Sequence, residues 1–188
     1  MNKFIILILM LNAPLMFAQE STLVVNKTSS DIVLDGTLNE PLWDDATNLE
    51  FYEYKPEWGV KDSLTQAKLT FDERYLYLGL IALEPNPEKI VNRNLLRDGW
   101  YGDDFFAFGI DPNLTKKNSF VFSIYPSGSR YDMAVSNDAV PLGRSTFNRS
   151  YDMIWEGKTQ ITENGWSAEY RIPISNLRFI QQNGQITA

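Results

Sequence analysis

The feature that most constrains this chain is a two-residue alternation of apolar and polar side chains, repeated between turn signals. Ala67, Leu69 and Phe71 alternate with Gln66, Lys68 and Thr70, the period of a strand with one buried face. Asp72-Glu73-Arg74 turns the chain, and Tyr75–Leu83 runs back almost continuously apolar, which predicts an antiparallel hairpin. Asp104–Ile110, Ser119–Tyr125 and Arg130–Val135 follow as strands, separated by the turns Asp111-Pro112-Asn113 and Pro126-Ser127-Gly128. Gly157–Thr162 and Trp166–Ile172 flank Asn164-Gly165, a dipeptide that accepts the positive φ angles of a tight hairpin. Only Asn39–Ala46, with Pro41 in its first turn, reads as helical turns. Many short strands with hardly any helix predict an all-β fold, an antiparallel two-sheet β-sandwich of jelly-roll type. Residues 84–102 and 136–150 are long loops, and long loops on a rigid sandwich are where binding concentrates.

Leu69, Phe71, Leu76, Leu78, Phe120, Phe122, Trp166 and Ile172 are the expected core, with either Phe105 or Phe106, because a one-residue slip exchanges the faces of a strand. Trp43, Trp155 and Trp166 each lie beside apolar neighbours and are expected inside. The group Asp35, Gly36 and Trp43 is assigned to folding. Asp35 can accept turn amides, Gly36 permits positive φ, and Trp43 can seal one end of the sandwich.

The start is not expected to belong to the fold. Asn2-Lys3 is a short positive region, Phe4–Leu11 an apolar run, and Phe17-Ala18-Gln19 a cleavage point, together the pattern of a signal peptide over residues 1–18. Met16 stands where such sites prefer a small residue. The apolar run is shorter than the ~20 residues a membrane span requires, which argues against an uncleaved anchor. The expected organisation is therefore a signal peptide, a lead-in segment over residues 19–30, and one sandwich over residues 31–188. Export places the chain in the periplasm, at the outer membrane or outside the cell.

Composition removes several chemistries. The 188 residues include no Cys and no His, which excludes disulfides, a lipoprotein anchor, Cys/His zinc sites and every triad that needs an imidazole. Seventeen Lys and Arg against 24 Asp and Glu give a net charge of −7, a poor surface for nucleic acid. No glycine-rich phosphate loop is present. Glycoside hydrolysis needs only two carboxylates ~5–9.5 Å apart. Asp103 and Asp104 are neighbours, however, and neighbours on a strand point to opposite faces, so they make a poor acid–base pair and no enzyme is expected. The acids Asp98, Asp103, Asp104 and Asp111 flank one strand and are either oxygen ligands for a hard cation such as calcium or solvated, turn-forming residues.

Trp100 sits between Gly99 and Tyr101 in a loop of charged and small residues, with no apolar periodicity to draw it inward. Beside Arg97 and Asp98 it offers a flat apolar face with hydrogen-bonding groups, which suits the C–H face and hydroxyl rim of a sugar. The alternative is that the ring folds back as a lid on the core. Trp58 is either a loop plug or a second exposed aromatic.

The segment Ile32-Val33-Leu34-Asp35-Gly36-Thr37-Leu38-Asn39-Glu40-Pro41-Leu42-Trp43 resembles the opening of the family 9 carbohydrate-binding modules. Phe71-Asp72-Glu73-Arg74-Tyr75-Leu76-Tyr77, then Asp103-Asp104-Phe105 with Gly109-Ile110-Asp111, then Asn164-Gly165-Trp166-Ser167-Ala168-Glu169-Tyr170-Arg171-Ile172-Pro173 are similar to the same family, in the same order. Pro126-Ser127-Gly128 with Asp132, and Leu177-Arg178-Phe179, resemble a subgroup that forms the N-terminal part of long envelope proteins of Gram-negative bacteria. The resemblance implies a β-sandwich, usually with structural calcium, here at Asp103, Asp104 and Asp111. It also implies that a terminal sugar is held between aromatic side chains, one of which falls close to Trp100. Where sugar-binding members carry polar side chains on their strands, only Ser123 and Tyr125 could hydrogen-bond here.

Relatives continue after Leu-Arg-Phe into a further strand, so an unpaired sheet edge is expected beside Trp166–Ile172, or beside whichever strand that further one would join. The implied function is a non-catalytic module serving polysaccharide breakdown or uptake, with an oligo- or polysaccharide and downstream domains of a longer envelope protein as partners. The alternative is a structural or docking sandwich that has lost sugar binding.

Overall fold

A computed structural model describes residues 23–52, 59–99, 102–140 and 146–177, and the backbone of residues 180–182 and 185–187. The proposed signal peptide, Trp58 and Trp100 lie outside the described residues. Nine strands form the two main sheets: β1 (Thr47–Leu49), β2 (Thr65–Phe71), β3 (Tyr75–Leu83), β4 (Phe106–Ile110), β5 (Ser119–Ile124), β6 (Arg130–Val135), β7 (Phe147–Asn148), β8 (Glu156–Thr162) and β9 (Gly165–Pro173). One sheet has the order β1-β2-β3-β9-β8 and the other β4-β5-β6-β7, and every neighbouring pair is antiparallel. Both expected hairpins are present, with Phe71 opposite Leu76 and Thr162 opposite Gly165. The expected helical segment contracts to a 3-10 turn at Pro41–Trp43, and the only α-helical turn among the described residues is α1 (Ile174–Leu177).

The core lies between the sheets. Leu69, Leu76, Leu78, Leu80, Ala168, Tyr170 and Ile172 from one sheet meet Phe122 and Ile124 from the other, all buried, with Phe106, Phe108, Ile110 and Phe120 packed against them. Met153 and Trp155 enter from the segment before β8; the Trp155 ring stacks on Tyr170 at 5.4 Å and takes Phe122 edge-on at 5.5 Å. The open choice on β4 resolves to Phe106, since Phe105 is 41% exposed. The reason is a shorter strand than expected: the Asp104 amide and carboxylate turn back to Val91, so β4 begins at Phe106.

β3 and β9 are buried on both faces because the chain from Ile32 to Ala46 lies as a strap across the outer face of their sheet. Leu42, Trp43 and Ala46 pack there against Tyr77, with Leu38 and Tyr75 around them. Gly36 has φ +94°, and a Cβ at that position would stand 2.6 Å from the Thr159 backbone, so this turn admits only glycine. Trp43 is 2% exposed, as its folding role requires.

Trp166–Ile172 itself has no open edge, and the expectation passes to the strands that do stand at sheet edges. β9 lies between β3 and β8, because the Asn164-Gly165 hairpin supplies one partner and the long apolar β3 the other. Among the described strands the edges are β1, β8, β4 and β7. After α1, β10 (Ile180–Gln182) and β11 (Gln185–Thr187) pair only with each other.

Candidate functional site

The outer face of the four-stranded sheet is a floor open at β4 and covered over β5 and β6, where Ser123 and Tyr131 are buried. Alternation turns Ala107 and Gly109 of β4 outward, and both are exposed; beside them in register stand Ser123 and Val121, then Tyr131 and Met133. Gly109 has room for a side chain, since a Cβ there would meet nothing closer than Val121 at 3.9 Å. Ser123 and Tyr125, the two strand-borne candidates for ligand contact, are each 1% exposed. They lie under the surface, and the Tyr125 ring packs against Phe105 at 6.0 Å.

One side of this floor is bordered by the loop that carries Trp100, and both flanks of that residue are pinned. The Gly99 carbonyl accepts hydrogen bonds from the Tyr125 hydroxyl at 3.0 Å and from Asn94 Nδ2 at 3.2 Å. Asn94 is 2% exposed and offers its own carbonyl to the Ser127 hydroxyl. The Ser129 hydroxyl donates to the Leu96 carbonyl at 2.6 Å, and the Asp98 amide donates to the Arg130 carbonyl at 2.9 Å. On the far flank, Gly102 has φ +71° and the buried Asp103 carboxylate accepts the Arg93 amide, the Asn94 amide at 2.5 Å and Arg93 Nε at 3.3 Å. Burial by itself would raise the Asp103 carboxyl, but the Asn94 and Arg93 amides hold it below the usual carboxylate range.

Arg97 points to the sandwich edge rather than across the floor. Its Nη2 donates to Asp132 Oδ1 at 2.9 Å, to Asp152 Oδ1 at 2.5 Å and to the Met153 carbonyl at 3.2 Å. Asp132 is 1% exposed and also accepts Trp155 Nε1 and the Met153 amide. Burial raises its carboxyl, and these donors with the Arg97 charge offset only part of that. Asp98, with φ +61°, keeps an exposed carboxylate 3.5 Å from Arg97 Nε. Of the five residues expected at a ligand, Arg97, Asp98 and Tyr125 are thus joined through one loop, Ser123 lies beneath the neighbouring floor, and Trp100 lies outside the described residues.

The three acids expected at calcium do not form one donor set. Asp103 and Asp104 precede β4 and Asp111 follows it, and their oxygens already accept protein donors. Asp104 takes the Val91 amide, and Asp111 takes the Asn113 amide, the Thr115 hydroxyl and the Lys116 amide. Their carboxylate oxygens are not gathered within reach of one ion, so these three residues do not make a shared calcium site.

Sequence reading missed two elements. Asn94 and Ser129 organise the Trp100 loop, yet neither has a signature beyond being polar in a loop. Glu169 is wholly buried on the outer face of β9, and its position in a strand of apolar neighbours was the available signal.

No protein-family model and no curated protein sequence matches the chain. Its structure is similar to a family 9 carbohydrate-binding module from Caldicellulosiruptor kristjanssonii in complex with glucose. That match has 18% identity and a TM-score of 0.50 over 80% of this chain and 69% of the other. A structure of such a module from the same organism, with cellotriose, matches at 15% identity and TM-score 0.52, over 80% and 67% of the two chains. A candidate carbohydrate-binding protein from Bacteroides uniformis matches at 13% identity and TM-score 0.58, over 81% and 72%. The chain therefore has the β-sandwich fold of the family 9 carbohydrate-binding modules.

Proposed function

We propose that this chain is a non-catalytic carbohydrate-binding module, exported from the cell, that holds an oligo- or polysaccharide for downstream domains engaged in its breakdown or uptake. The observation that carries this reading is the double pinning of the Trp100 loop at Gly99 and Asp103 beside an open floor of Ala107 and Gly109. Holding Gly99 and Asp103 lowers the ordering cost for an aromatic between them to stack on a pyranose. In this reading Trp100 provides the stacking face and the exposed Asp98 carboxylate accepts sugar hydroxyls. Arg97 and Tyr125 hold the loop, and Ser123 supports the floor. The relatives in fold that contain glucose and cellotriose support a saccharide ligand. Among the described residues no helix is long and apolar enough to cross a membrane.

A second reading, a docking sandwich without sugar binding, is favoured by the burial of Ser123 and Tyr125, which leaves the floor few polar groups of its own. Calorimetric titration of the mature chain with cellotriose separates the two: heat that disappears in Trp100→Ala supports the module, and no heat supports docking.

A further inference from the structure

A carboxylate cluster where the N-terminal strap meets β9, made of the buried Glu169 with the half-buried Glu40 and the exposed Asp35 of the strap, has no part in the proposed saccharide site. Glu169 is 0% exposed and holds the strap through both oxygens. Its Oε2 accepts the Asp35 amide at 2.9 Å and the Gly36 amide at 2.8 Å, and its Oε1 accepts the Trp43 indole at 3.0 Å. The Ser167 hydroxyl adds a bond to the Gly36 carbonyl at 2.6 Å, and Lys68 Nζ one to the Trp43 carbonyl at 2.7 Å. Carboxylate oxygens of Asp35, Glu40 and Glu169 lie within 4.8 Å of one another, and Glu40 Oε2 is buried without a hydrogen-bond partner. Asp35 already has its own donors, the Thr37 amide at 2.8 Å and hydroxyl at 2.6 Å. A buried acceptor without a donor, beside a buried carboxylate that can carry a proton, is a pair one proton would complete.

We propose that Glu169 and Glu40 share a proton, and that this proton seats the strap on the sheet, so that the strap loosens when the proton is lost. A protonated Glu169 can donate its O–H to Glu40 while its oxygens still accept the strap amides and the Trp43 indole. Loss of the proton leaves two facing carboxylates with Asp35 beside them. The other charged or titratable groups on the packed elements are these. Arg171, on the face of β9 that carries Glu169, gives Nη2 to Glu156 at 2.5 Å and keeps a buried Nε without a partner. Tyr77 donates to Asp72 at 2.8 Å and Lys68 holds the Trp43 carbonyl, while Lys158, opposite Glu169 in register, and Asp44 and Asp45 of the strap are exposed.

Burial, the largest influence, pushes the Glu169 carboxyl up to about 7, with Glu40 adding to the rise and the Gly36, Trp43 and Asp35 donors opposing it. A folded-state value raised above the ordinary 4.5 means the folded chain holds a proton that the unfolded chain releases. The stabilisation is then complete below the ordinary value and lost as pH rises through about 7.

The test is thermal unfolding of the whole chain between about pH 5.5 and about pH 8.5, together with the Trp43 indole N–H resonance over the same range. The chain has no His and no Cys, so few groups other than a raised carboxylate titrate there. Asp132, also raised by burial, belongs to the Arg97 cluster, and its contribution to the melting profile is the same in wild type and Glu40→Gln. Expected is a melting temperature that falls by several degrees toward the alkaline end and an indole resonance that titrates near neutrality. Glu40→Gln keeps the strap contacts and removes the partner charge, and it should flatten the melting profile and move the indole midpoint down by about one unit or more. A wild-type resonance that stays flat, or a Glu40→Gln variant with the same pH slope as wild type, would overturn the proposal.

Discussion

The Tyr125 hydroxyl donates to the carbonyl of Gly99, the residue immediately before Trp100, at 3.0 Å. Tyr125 is 1% exposed and follows β5, so the bond ties the loop to the rigid sheet below it. Tyr125→Phe keeps the ring and removes the donor. Asn94 Nδ2 still serves the carbonyl, so the loss should be modest, ~0.5–1.5 kcal/mol in chemical denaturation. Saccharide affinity should fall in the same variant if the loop positions the ring, and remain unchanged if it does not.

Arg97 is a tether in this structure. With Arg97→Ala, the buried Asp132 keeps Trp155 and the Met153 amide but loses its nearest positive charge. A cost of ~1–3 kcal/mol is expected, less than for a wholly buried pair because the Arg97 side chain is 35% exposed. Arg97→Lys should restore most of it, since a single nitrogen, Nη2, reaches both Asp132 and Asp152 and an ammonium can take its place, losing only the Nε approach to Asp98. Urea midpoints of the two variants check the order.

Trp43→Ala removes a buried indole and its bond to Glu169, for an expected cost of ~3–5 kcal/mol. Gly36→Ala should destabilise as well, because a methyl group there meets the Thr159 backbone and φ is positive. Both effects should appear as shifted denaturation midpoints with the four-stranded sheet otherwise intact.

The architecture was legible in the sequence where alternation and turn chemistry agreed. Leu69, Phe71, Leu76 and Leu78 fall on the predicted face, and Asn164-Gly165 closes the predicted hairpin. Phe105 and Phe106 could not be separated, because the start of β4 is decided by the bond between Asp104 and Val91, a contact thirteen residues apart in sequence. The site was legible only in part for the same reason. Arg97 reads as a loop cation, but its partner Asp132 lies thirty-five residues away and Asp152 fifty-five. Glu169 reads as an ordinary strand acid until the strap folds over it. Long-range pairing of polar groups has no local period to betray it.

Protein donors serve carboxylate oxygens of Asp103, Asp104 and Asp111. Addition of EDTA or of calcium should therefore leave the melting temperature unchanged, whereas Asp103→Ala should lower it by freeing the Arg93 and Asn94 amides. Differential scanning fluorimetry of the two samples decides the point, and a drop with EDTA in the wild type that is absent in Asp103→Ala would contradict this account.

The most direct test of the saccharide reading is isothermal titration of the mature chain with cellotriose, run in parallel on Trp100→Ala. Expected is measurable heat with the wild type and at least about a tenfold loss of affinity, ~1.4 kcal/mol, in a variant whose melting temperature is unchanged. Absence of heat with the wild type, or equal affinity in the two proteins, would contradict it.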